Sequence, residues 1–185
     1  MTGPTKRPPR DAPLATFDET PAAYFLGARG SLPDLKVSLS RVAAVEKSTG
    51  VRVHLVDASR VCGAVHLASA LLHARRAHER GRGRARDLKV ELMMYLVGER
   101  QISRAIESAG VKRGTKAVGV AVEGGHKSAV RAASELLPAL ALERDDAALV
   151  ATAAKAKALK AAGAGKDAAE WEALALEVTA FVDLD

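Results

Sequence analysis

Blocks of alternating, continuous or helically spaced apolar positions follow one another along the chain, and each block predicts an element. "AAYFLGARG", residues 22–30, is a short apolar run closed by glycine and reads as a strand. "SLPDLKVSLSRVAAVEKSTG" opens with Ser31 before Pro33, ends at Gly50, and spaces Leu35, Leu39, Val42, Ala43 and Glu46 as a helix does. "VRVHLVD" alternates Val51, Val53 and Leu55 with Arg52, His54 and Val56, a strand period. A helix is expected from about Arg60 to Glu79 with Val61, Val65, Ala68 and Leu72 on its apolar stripe. "DLKVELMMYLVG" is mostly apolar from Leu88 to Val97 with a lone Glu91, which predicts a strand covered on both faces.

A short helix between glycines comes next. In it Ile102, Ala105, Ile106 and Ala109 are expected to face the core, with Arg100, Gln101, Ser103, Arg104 and Glu107 outward. A strand at "KAVGVAVE" and a helix from about His126 to Leu137 follow. The last third is alanine-rich and helical, broken at "GAGKD", where Asp167 and Glu170 form a capping box for a final helix. Strands separated by helices imply an α/β (α+β) fold with a mixed, largely antiparallel central sheet flanked by helices. Residues 1–20, rich in proline and charge, read as a disordered basic tail, and residues 21–185 as one domain whose part from 142 to 185 is helical.

Charge changes this picture more than composition does. The chain carries +6, and from His73 to Lys89 seven basic residues (Arg75, Arg76, Arg80, Arg82, Arg84, Arg86, Lys89) face two acidic ones, a net +5 in one connector. Clustered cations act together on a polyanion, so the segment is either a nucleic-acid footprint or a solubilising loop. A single cysteine, Cys62, excludes an intramolecular disulfide. The N-terminus has no apolar stretch of signal-peptide type and no run has the length of a membrane span, so a soluble, cytoplasmic protein is expected.

Catalytic chemistry finds little support. Cys62 and His66 are four apart and could share a helix face, but no orienting third group or oxyanion donor accompanies them. The five histidines give no metal-chelating spacing, and no cofactor motif emerges. In "GVAVEGGHKS", Gly125 stands where a phosphate loop requires lysine, so the segment reads as a strand-to-helix turn. Arg100 and Arg104, four apart on the short helix, repel slightly, and Gly98 would let an anion approach the helix N-terminus. Trp171, Leu174, Val178 and Phe181 fall on one face of the final helix, which suits either core burial or partner docking.

"ELMMYLVGERQISRAIESAGVK" resembles the signature of the small KEOPS-complex subunit, the PRPK-binding (TPRKB-like, CGI-type) family, with Glu91, Leu92, Gly98, Arg100, Gln101, Ile102, Ala105, Ile106 and Gly110 matching. "DASRVCGAVHLASALLHA" is similar to the stretch in which a histidine-leucine pair, here His66 and Leu67, opens a long helix, and "FLGARG" looks like the family's first strand. The resemblance implies a non-catalytic accessory subunit without cofactors. Such a subunit docks on the kinase-like ATPase of KEOPS, and through it on the threonylcarbamoyl transferase subunit, and captures the single-stranded CCA end of tRNA. It carries Arg100, Gln101, Gly98 and His66 into the tRNA-facing set, with Arg104, Lys112 and Arg113 beside them. Family members often place lysines before the histidine, where this chain has Ala64 and Val65, so phosphate contacts are expected to shift to Arg75, Arg76 and the connector's Arg82, Arg84 and Arg86. The final helix, with Trp171, Leu174, Val178 and Phe181, is the candidate kinase-docking surface by the same analogy.

Overall fold

Side-chain size along the strands decides how the layers form. A computed structural model of the protein describes residues 23–160 and 165–183, so the N-terminal tail expected over residues 1–20 lies outside the described residues. In β1 (Ala23–Gly30), Tyr24, Leu26 and Ala28 point to one face of a sheet and Phe25 to the other. The same alternation puts Val53 and Leu55 of β2 (Arg52–Asp57) and Val118, Val120 and Val122 of β3 (Ala117–Glu123) on the first face. A short β4 (Leu142–Arg144) completes the order β2-β3-β1-β4, and every pairing is antiparallel.

The face of large residues is covered by α1 (Leu35–Thr49) and α5 (His126–Ala139), which bury Val42, Val45, Leu136 and Leu140 against it. Asp34 caps α1 by accepting the Lys36 N–H at 2.9 Å, and Gly50, at φ 70, ends it. On the opposite face Gly27, Gly119 and Ala121 replace large residues, so other elements approach closely. There α2 (Ala64–Glu79) and α3 (Leu88–Val97) bury Leu67, Leu71, Leu92, Tyr95 and Leu96. The shorter α4 (Ile102–Ala109), α6 (Ala153–Ala158) and α7 (Ala168–Ala180) pack around this second layer, with α7 against α2, α3 and α6. Among the described residues no helix is long and apolar enough to cross a membrane.

The α/β class, with helices on both faces of the sheet, is as the sequence predicts, and the sheet is wholly antiparallel. The predicted strand over Leu88–Val97 is a helix. Its Leu and Met residues favour helix, Asp87 caps it by accepting the Lys89 N–H at 2.8 Å, and Gly98 closes it at φ 64. Its pattern misled because α3 is buried almost all round, which erases the helical period. The helix expected from Arg60 begins at Ala64, and its buried stripe runs through Leu67, Ala70, Leu71, Ala74 and Ala77, with Val65 and Leu72 only half-buried. The C-terminal part starts with β4, not with helix.

Glu91, expected as a lone polar residue in a strand, is 1% exposed and serves as an internal cap. Its Oε2 accepts the Ala85 N–H at 2.6 Å, pinning the basic connector to α3. Replacing Glu91 with Ala should leave that buried N–H without a partner and cost roughly 1–3 kcal/mol in urea unfolding, while Glu91→Gln, which keeps an acceptor, should cost less. Equal losses for the two would mean that the side chain acts by filling space.

Candidate functional site

The basic connector is a folded loop. Gly81, at φ 66, ends α2 with its N–H on the His78 carbonyl at 3.0 Å and the Arg82 N–H on the Ala77 carbonyl at 2.8 Å, a Schellman arrangement. Gly83 lies flat against His78, where a Cβ would come within 2.6 Å of the ring. Between this loop, α2 and the start of β2 is a cleft of about 570 Å³ lined by Arg52, Arg75, His78, Arg86 and Lys89 among others.

Its charges are largely internal. Glu123 meets His54 Nε2 at 2.6 Å, Arg75 at 3.4 Å and Arg52 at 3.6 Å. Burial pushes the Glu123 carboxyl up, but the His54 hydrogen bond and the neighbouring cations outweigh it and hold the group below its ordinary value. Lys89 Nζ sits 2.8 Å from Glu46, whose same oxygen accepts the Val53 N–H at 2.8 Å on the outer edge of β2. With Glu79 on Arg75, these carboxylates take up Arg52, Arg75 and Lys89 and brace the connector, while Arg86, which also lines the cleft, has no carboxylate partner among the described residues. Arg75 therefore belongs to the brace, and Arg76 is half-buried. Arg82, Arg84 and Arg86 are exposed, and among the described residues no carboxylate pairs with them.

The connector meets α4 through a small buried cluster of Ala85, Met94 and Ala105. Ala85 thus shares a cluster with Ala105 of α4, at whose start Arg100, Gln101 and Arg104 are all exposed, while Arg86 lines the cleft. Lys112 and Arg113 are also exposed, beyond the other end of that helix, roughly 12 Å along its axis. Gln101 occupies the N-cap of α4 without a side-chain cap, and Arg100 donates from Nη2 to the Phe181 carbonyl at 3.3 Å. Two expectations fail here. Ala105 and Ala109 are buried, but Ile102 and Ile106 are 42% and 45% exposed, because the small alanines make the close contact and the isoleucines stand on its flank. Gly98 does not open the start of α4 to a ligand. It ends α3, and a Cβ there would lie 2.6 Å from Val178 Cγ1, so it admits α7.

His66 and Cys62 are fully buried. Cys62 precedes α2, and its N–H donates to His66 Nδ1 at 3.1 Å, which leaves the ring proton on Nε2. Burial pushes the His66 imidazole down to about 4, only partly offset by the Leu96 carbonyl. Burial likewise raises the Cys62 thiol, against the opposing charge of Lys155. The histidine of the tRNA-facing set is thus a core residue with no surface to offer, and neither member of the pair reaches solvent. The N-terminus of α2 above it has no cap of its own. Glu172 of α7 supplies one, accepting the Val65 N–H at 3.1 Å through a gap left by Gly63, where a Cβ would lie 1.7 Å from the carboxylate. No local signal announces this contact, whose partners are 107 residues apart.

The final helix forms as predicted, with Asp167 accepting the Glu170 N–H at 3.0 Å and Glu170 accepting the Lys166 N–H at 2.7 Å. Its proposed docking face is split. Val178 is buried against Gly98, Trp171 and Leu174 are half-buried, and Phe181 is 58% exposed. Among the described residues no group of histidine, cysteine or carboxylate side chains could hold a metal.

The depressed His66 imidazole makes a pH test. The unfolded chain takes up this proton near 6.5 and the folded chain only near 4. Stability should therefore fall as pH drops through that window, by about 3 kcal/mol when complete. Urea unfolding at pH 7 and at successive steps towards pH 4 should give a shallower pH slope for His66→Gln than for the wild type. Equal slopes would assign the acid sensitivity to other groups.

Compared with known proteins, the chain matches a family described as kinase binding protein CGI-121 over residues 36–162, which takes in α1 to α6 and three of the four strands. No curated protein matches the chain. The match spans more than half of the sequence, and the protein belongs to the kinase binding protein CGI-121 family.

Proposed function

We propose that this protein is a non-catalytic accessory subunit of the KEOPS complex, which docks on the kinase-like ATPase and holds the 3′ CCA end of tRNA for threonylcarbamoyladenosine synthesis. The observation that carries the reading is α4. In a chain of a kinase-binding family, this short helix presents an exposed isoleucine pair, Ile102 and Ile106, together with exposed basic residues, Arg100 and Arg104. Exposed large apolar side chains on a small helix suit a partner surface. The arginines, continued by Arg82, Arg84 and Arg86 of the connector, suit a single-stranded polyanion, which is held by backbone charge and stacking. Aromatic side chains are 3% of the sequence, so guanidinium planes and the isoleucines would have to receive the bases.

The two roles separate by mutation. Arg100→Glu with Arg104→Glu should weaken tRNA binding and reduce the loss seen when CCA is removed. Engagement of about four phosphates predicts a logarithmic salt slope of roughly −3 for the wild type. Ile102→Asp with Ile106→Asp should leave tRNA affinity unchanged and abolish capture of the purified kinase-like subunit. Equal, weak binding of tRNA with and without CCA would leave an RNA-independent kinase-binding module of the same fold. Retained kinase capture by the isoleucine variant would move docking to another face, with Phe181 the next candidate.

A further inference from the structure

The first strand begins beside the cleft of the basic connector. Ala23 of β1 pairs with Glu123 of β3, and Glu123 pairs in turn with Arg52 of β2, which lines the cleft. The Ala23 side chain packs against the layer of α2 and α3, the side on which Glu123 meets Arg75. Two strands separate Ala23 from Arg52, about 10 Å at ordinary strand spacing.

Most charges in the cleft have partners. Glu79 meets Arg75, Lys89 meets Glu46, and Asp87 accepts the Lys89 N–H at the start of α3. Arg86 is exposed and has no carboxylate partner among the described residues. Arg52 is 56% exposed and has Glu123 at 3.6 Å. Leu88 is the apolar residue of the lining. The vacant side of the cleft therefore suits an occupant that carries carboxylates next to an apolar group.

The sequence just before β1 has that chemistry. Residues 11–22, "DAPLATFDETPA", hold Asp11, Asp18 and Glu19 and no lysine or arginine, whereas residues 1–10 hold Lys6, Arg7 and Arg10 and no acid. Asp18 and Glu19 stand five and four residues before Ala23. An extended chain covers about 3.5 Å per residue, so they reach roughly 17 and 14 Å from it. Phe17 adjoins them. Exposed ion pairs are individually weak, but a tether this short makes the docking intramolecular and raises the effective concentration of the carboxylates.

We propose that the Phe17-Asp18-Glu19 segment docks in this cleft in cis, with its carboxylates on Arg86 and Arg52 and Phe17 against Leu88. Of the connector arginines 82, 84 and 86, Arg86 is the one that lines the cleft, so the tail takes Arg86 and leaves Arg82 and Arg84 to an external polyanion. The contact stands whether or not the chain binds RNA.

The full chain carries the test. A nitroxide spin label is placed on Thr16→Cys, which keeps every charge, and Cys62, 0% exposed, stays unlabelled. Paramagnetic broadening of the backbone amides should be strong at Arg86 and Lys89. It should be weak at Lys127, an exposed cation four residues beyond Glu123 and so of similar reach from Ala23. In 1 M NaCl, where the Debye length is about 3 Å, the broadening at Arg86 should be lost. Asp18→Arg with Glu19→Arg should also abolish it, and so should Arg86→Glu. Combining the three substitutions should restore it, because the ion pairs re-form with their signs exchanged.

Equal broadening at Arg86 and Lys127 overturns the proposal, since the tail would then sweep that end of the sheet without a site. Broadening that survives charge reversal overturns it as well. A mixture of spin-labelled protein and unlabelled, isotope-enriched protein separates the two sources of a tail. Broadening that appears at Arg86 of the unlabelled copy to the same extent would assign the contact to a second molecule and overturn docking in cis.

Discussion

Gly27 of β1 and Gly119 of β3 stand opposite each other in the centre of the sheet, and the missing side chains govern what packs there. A Cβ on Gly27 would lie 2.5 Å from the Asp145 carbonyl oxygen, and one on Gly119 would press on Val56, Val61 and Leu149. The shallow floor lets the short 3₁₀ turn Asp146–Leu149 lie directly on the strands after β4. From that position the Leu149 carbonyl accepts the Gly63 N–H at 2.7 Å and fixes where α2 begins. The start of α2 in turn buries His66, receives Glu172 and orients the whole second layer. Larger residues at the two glycines would push that turn outward and disturb each of these contacts.

The surface is organised by the same economy of buried polar groups. Glu91 holds the connector through one backbone N–H, and Glu123 and Glu46 absorb the cations of the adjoining cleft. The segment of highest positive charge in the sequence is therefore not uniformly basic in space. One part is neutralised as a brace, and Arg82, Arg84 and Arg86 are exposed without a carboxylate partner among the described residues. A partner would meet the molecule where cations lack carboxylates and isoleucines lack cover, and both conditions hold on α4. α7, an acidic helix packed on α2, α3 and α6, is further fixed near its two ends by Glu172 on α2 and Asp183 on His73 and Tyr95.

The sequence determined the elements whose pattern reflects a two-sided environment. Three strands that alternate between unlike faces, and helices α1, α5 and α7, with the Gly50 end of α1 and the Asp167 cap of α7, were legible because period and punctuation act locally, although α1 starts after Asp34 and not at Ser31. The arginines and glutamine around α4 were also placed correctly at the surface. Tertiary structure decided the rest. An element buried on every side, α3, loses the period that distinguishes helix from strand, and only its neighbours identify it. On α4, which of four apolar residues faces inward depended on how closely α3 approaches, a distance that alanine at 105 and 109 permits. The pairing of Glu172 with α2, of Asp183 with His73 and Tyr95, and of the cleft cations with Glu46 and Glu123 joins residues far apart in the chain. Charge counted along a sequence cannot show such cancellation, because the field at a surface depends on separations in space.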